Sequence, residues 1–125
     1  MEAQIKHIDT TKEVYFEEGC YINELCNSNE DPDVSIARAR VLPGETTRWH
    51  RLHNTVERYA ILQGQGEVEI GQLPPTTVRQ GDVVLIPAGC RQRIRNIGET
   101  ELVFLAICSP RFQPDAYEDI ENNPE

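Results

Sequence analysis

TTRWHRLHNTVERYAILQGQGEVEIG (residues 46–71) sets two histidines and a glutamate, His50, His53 and Glu57, inside eight positions and then enters a strand broken by glycines. Imidazole and carboxylate at such spacing can hold a metal ion, and they can equally form a hydrogen-bonded cluster inside a barrel. Strand parity bears on the choice, because residues two apart face one side and residues three apart face opposite sides. His50 shares a face with Arg48, and Glu57 shares one with Tyr59 and Ile61. His53 falls opposite His50 unless a bulge or a strand end intervenes. Asn54 and Thr55 supply such an end, where a turn could swing His53 back toward the barrel mouth.

Outward from this stretch, Val14 to Cys108 reads as short strands rich in Val, Ile, Tyr and Phe, among them EVYF, GCYINEL, VSIARARVL, ERYAILQG, GEVEIG, DVVLIP, RQRIRN and LVFLAIC. Turn-forming segments such as NSNEDPD, GQLPPT and NIGETE separate them, and no segment keeps a helical period. The pattern predicts an all-β fold, a small antiparallel barrel or sandwich. DVVLIP and LVFLAIC are apolar on both faces, which predicts a covered outer face, most simply by a second copy in a homodimer.

A chain of 125 residues suits one domain. Within it we expect an acidic N-terminal segment with outer strands (1–35), a barrel core (36–108) and an acidic C-terminal tail (109–125). Phe112, Tyr117 and Ile120 would anchor that tail along the barrel, with its last residues disordered. The start of the chain lacks the pattern of a signal peptide and no stretch is long and apolar enough to span a bilayer, so a cytoplasmic location is expected. Cys20, Cys26, Cys90 and Cys108 form no CxxC pair and read as reduced, mostly buried thiols.

The formal net charge of −9 disfavours nucleic acid and anionic membranes as partners. The charge is uneven: −7 over residues 1–35, +3 over 36–111 and −5 over 112–125, with all ten arginines in the middle segment. Arginine without lysine favours planar recognition of carboxylate or phosphate, which suggests a small, anionic organic ligand.

The spacing also resembles a known family, the small single-domain cupins. Their first motif is G(x)5HxH(x)3,4E(x)6G, and Gly44, His50, Glu57 and Gly64 stand at its positions. Their second is G(x)5PxG(x)2H(x)3N, met by Gly81, Pro87, Gly89 and Asn96. The resemblance covers most of the chain and implies a cupin double-stranded β-helix, a jelly-roll-like antiparallel barrel. Two departures bear on chemistry. Gln92 occupies the histidine slot of the second motif, and in the first motif Leu52 occupies the second histidine slot if His50 fills the first.

The resemblance implies a divalent metal ion (Fe, Mn, Ni or Zn), for which His50, His53, Glu57 and Gln92 are the candidate ligands. Two imidazoles, a carboxylate and an amide oxygen make a mixed set that leaves positions open for water or substrate. Glu57 and Tyr59 are the candidate catalytic residues. A carboxyl in an apolar barrel is raised in pKa and can serve as general acid or base without a metal, and the tyrosine hydroxyl can meet a ligand or simply pack in the core. Arg48 is the first candidate for an anion clamp. Arg38 and Arg40 are further ligand-binding candidates, on one face of SIARARV with Ala37, Ala39 and Val41 on the other. Parity turns Arg91, Arg93 and Arg95 outward. The family resemblance implies dioxygenase- or sugar-isomerase-like chemistry; the second reading is a binding or sensory barrel that has lost its metal site.

Overall fold

The computed structural model describes residues 1–125. Alternating apolar and polar residues set out the first strands: β1 (Val14–Phe16), β2 (Cys20–Cys26), β3 (Ser35–Val41), β4 (His50–Leu52), β5 (Val56–Gln63) and β6 (Gln65–Ile70). There follow β7 (Thr76–Arg79), β8 (Val83–Ile86), β9 (Gln92–Asn96), β10 (Leu102–Ser109) and β11 (Tyr117–Asp119). They form two sheets of order β1-β2-β3-β10-β5-β8 and β11-β4-β9-β6-β7. Every strand pair is antiparallel, and the two facing sheets form the double-stranded β-helix, a jelly-roll-like barrel, expected from the sequence.

Ile61, Val68, Ile86, Ile94, Leu102 and Phe104 are buried in the core between the sheets. The motif positions are explained by backbone and packing. Gly64 turns β5 into β6 at φ +85°, and a Cβ there would lie 2.6 Å from the Glu101 carbonyl oxygen. Buried Asn96 donates its amide to the carbonyls of Val41 (2.9 Å) and Thr100 (2.8 Å) and accepts from the Gly98 N–H. It is a structural clamp at the end of β9, so polar groups buried there are satisfied.

The tail is more regular than its composition suggests. As β11 it pairs with β4, setting Tyr117 opposite Leu52, Glu118 opposite Arg51 and Asp119 opposite His50. Ile120 is buried behind it. At the other end, β8 is an edge strand. Val84 and Ile86 point inward, while Val83 and Leu85 are 60% and 69% exposed in the single chain. No helix is long and apolar enough to cross a membrane.

Three registers position the inward polar residues. His50 on β4 lies opposite Gln92 on β9, Glu57 on β5 lies opposite Cys108 on β10, and Tyr59 is two residues along from Glu57 on the same face.

Candidate functional site

His50 is 1% exposed, at the start of β4. Its Nδ1–H donates to the Arg48 carbonyl at 2.7 Å, which fixes the ring, and its Nε2 faces Glu18 Oε1 at 2.8 Å. Glu18 comes from the turn between β1 and β2, where Gly19 at φ +108° reverses the chain. Tyr117 of β11 stacks on the His50 ring with centroids 5.3 Å apart.

The second polar group is a chain of neutral donors ending on a carboxyl. Tyr59 Oη–H donates to Gln92 Oε1, and Gln92 Nε2 donates to Glu57 Oε1 at 2.9 Å. The Cys108 thiol lies 3.8 Å from Glu57 Oε2, and the Cys20 thiol donates to Glu18 Oε2 at 3.1 Å. All four cysteines are free, with Cys20 and Cys108 buried and Cys26 and Cys90 half-buried.

The surroundings separate the two carboxyls. Burial, with the Glu18 charge behind it, pushes Glu57 up to about 7, against the smaller pull of His50, Gln92 and Cys108. Burial opposes ionisation of Glu18 as well, but adjacent His50 prevails and holds it below its ordinary value. For His50, burial alone would lower the imidazole; Glu18 reverses this and holds it at about 9. The pair is therefore ionised at neutral pH, whereas Glu57 is poised to gain or lose a proton. Burial also raises the Cys20 and Cys108 thiols, which are protonated hydrogen-bond donors here.

Of the expected site residues, the structure brings together His50, Glu57, Tyr59 and Gln92 and places the others elsewhere. β4 does end after Leu52, and Asn54 has φ +54°, yet alternation continues through residue 53. The His53 N–H donates to the Ala116 carbonyl at 2.8 Å, and its half-exposed ring meets Glu118 at 2.7 Å, outside the barrel. Inward Leu52 lines the cavity in the second histidine slot.

Arg48, Arg38 and Arg40 also lie outside this cluster. Arg48 precedes β4, so the parity argument does not reach it; it pairs with Asp119 at 2.5 Å on the surface. Arg38 and Arg40 lie on the outer face of β3. Arg40 pairs with Glu13 (2.6 Å) and with Glu101, while Ala37 and Ala39 face the cavity because only small residues leave it open. Arg91 and Arg93 do point outward, flanking the buried Trp49 ring at 4.6 and 4.4 Å.

A divalent ion does not fit these donors as they are arranged. No three His, Cys, Asp or Glu side chains converge. The His50 Nε2 is engaged by Glu18, the Gln92 oxygen by Tyr59, and the Gln92 nitrogen, which has no lone pair to give, is the atom turned to Glu57.

Of these polar groups, Glu18, His50, Glu57, Tyr59 and Cys108 line the floor of a cavity of about 430 Å³, walled largely by apolar side chains. Sequence reading missed Glu18, Cys108 and Tyr117. Glu18 belongs to a turn and Tyr117 to the tail, where strand periodicity carries no information. Cys108 shares the parity of Phe104, a face that could have been assigned once one residue of β10 was placed.

A family model for the cupin domain matches residues 37–108. An uncharacterized protein of Methanocaldococcus jannaschii, MJ1618, is 33% identical over 115 residues, covering 90% of this chain and 89% of that one. An oxalate-binding protein of Thermotoga maritima is 34% identical over 73 residues, 58% of this chain and 59% of its own. The solved structure of a nucleoside dehydratase superposes with a TM-score of 0.76 at 13% identity, over 94% of this chain and 92% of that one. At that identity the likeness concerns the barrel alone.

Proposed function

We propose, since the chain belongs to the cupin domain family, that its barrel binds a small organic molecule and that Glu57 exchanges a proton with it. The observation that carries this reading is a carboxyl 8% exposed, hydrogen-bonded by neutral groups, on the floor of a cavity of about 430 Å³, where burial and the nearby Glu18 charge push it up to about 7. A group balanced between its two protonation states near neutral pH is suited to general acid–base work. Tyr59 and Gln92 are positioning residues: their hydrogen bonds hold the carboxyl in place.

Among the chemistries implied by the family resemblance, isomerisation or elimination next to a carbonyl needs only such a carboxyl. Oxygenation would need an ion, and the donors would first have to separate, with Glu18 leaving His50. Dehydration, the activity of the structurally similar nucleoside dehydratase, is an elimination of the same kind. The oxalate-binding relative makes a small dicarboxylate the anionic ligand to try. A second copy of the chain covers the exposed Val83 and Leu85 of edge strand β8 in a homodimer.

The test is proton exchange. Small ketones, aldehydes and keto acids are incubated with the protein in deuterium oxide and followed by NMR. The expected result is deuterium incorporation next to the carbonyl of at least one compound, lost in Glu57→Gln. Incorporation that survives the substitution would overturn the role of Glu57. Binding without incorporation would favour the second reading, a binding barrel, which is supported by the closed hydrogen-bonding of Glu18 with His50 and of Glu57 with Gln92.

A further inference from the structure

The cavity wall is aromatic and acidic. All three phenylalanines of the chain, Phe16, Phe104 and Phe112, line it together with Tyr59 and Tyr117. Tyr59 and Phe104 lie 4.4 Å apart, tilted by 42°, and Phe16 meets Tyr117 edge-on at 5.2 Å, so the rings make two aromatic walls of the one cavity. None of the ten arginines lines the cavity.

The charges inside are unbalanced. The imidazolium of His50 compensates Glu18. Glu57 makes no ion pair: His50, already engaged by Glu18, acts on it only at a distance, and its hydrogen bonds come from an amide and a thiol, both neutral. Exposed Lys12 and Glu24 also line the cavity, so its wall carries three carboxyl side chains, Glu18, Glu24 and Glu57, against the two basic groups His50 and Lys12. A carboxylate buried without a counter-charge is costly, and the cost is removed when a cation is brought beside it. Aromatic faces attract the same ligand, since ring quadrupoles present negative charge to a cation within about 6 Å.

We infer that the molecule this pocket selects is a small organic cation, an amine or quaternary ammonium, seated between the two aromatic walls with its charge toward Glu57. This rests on the binding reading above and runs opposite in sign to the anionic ligand expected from the arginines, which the fold places outside the cavity. A dianion would meet Glu18 and Glu57 at the floor and face the negative side of the rings.

The test uses three probes of similar or smaller size than the cavity: choline, its uncharged carbon isostere in which tert-butyl replaces trimethylammonium, and oxalate. Affinities are measured by NMR titration on the wild type, Glu57→Gln and Phe104→Leu, each checked for its fold by circular dichroism. We expect choline to bind about tenfold or more tightly than its isostere. Glu57→Gln should remove most of that preference while leaving the isostere unchanged, and Phe104→Leu should weaken choline more than the isostere. Equal affinities for choline and isostere, tighter binding of oxalate, or a preference for choline that survives Glu57→Gln would overturn the inference while leaving a ligand pocket in place. Failure of all three probes to shift any cavity resonance would count against both the inference and the binding reading.

Discussion

Replacing Glu57 by Gln should change the pH dependence of stability in a defined direction. The carboxyl moves from an ordinary 4.5 to about 7 in the folded chain, because burial and the Glu18 charge penalise the ionised form. A raised pKa means that the folded state holds the proton more tightly than the unfolded chain does. The corresponding stability is present in full below about pH 4.5 and is lost as pH rises through about 7. At about 1.4 kcal/mol per unit, the loss between about pH 5 and pH 8 is on the order of 2–3 kcal/mol. Glutamine is neutral throughout and still accepts from Gln92 through its Oε1, so it escapes this loss. The assay is urea denaturation of wild type and variant at several pH values, read as the difference between the two curves, in which other titrating groups largely cancel. The variant should gain on the wild type by that amount between about pH 5 and pH 8. Parallel curves, or a variant that loses ground as pH rises, would refute the view that Glu57 is buried without a counter-charge.

Three further outcomes are expected. His50→Leu strands the Glu18 carboxylate beneath the pocket and should cost about 3–5 kcal/mol, much of it recovered when Glu18→Gln is added; a double variant as unstable as the single would show that the pair is not coupled. The double substitution Leu52→His, Gln92→His restores two inward imidazoles beside His50 and should make the protein bind zinc or nickel, raising stability by roughly 2.7 kcal/mol at a metal concentration one hundred times Kd. An equal rise in the wild type would mean that its donors separate to admit an ion after all. Finally, Val83→Glu with Leu85→Glu should shift any homodimer toward monomer in light scattering without altering circular dichroism; a monomeric wild type would leave the outer face of β8 without this partner.

The sequence determined the barrel because its signals are local and redundant. Turn glycines, alternating strands and two spaced motifs each specify part of the same architecture, and Gly64 and Asn96 occupy their positions for backbone and hydrogen-bonding reasons that any chain of this fold shares. Parity within single strands was legible as well: Gln92 faces inward between outward Arg91 and Arg93, and Glu57 and Tyr59 share the cavity face. Alternation also indicated that His50 and His53 face opposite ways, although the turn residues after His53 left its return to the mouth open.

Tertiary structure alone decided what the inward residues do. Which face of β3 looks into the barrel depended on its neighbours β2 and β10, and so did the placement of Arg38 and Arg40 outside it. Glu18 reaches His50 from a turn, and Tyr117 reaches it from a tail strand 67 residues further along the chain. Periodicity along one strand cannot register such contacts, because they arise when separate segments close over the same space. The charge partner of His50, and the lack of one for Glu57, are consequences of that closure.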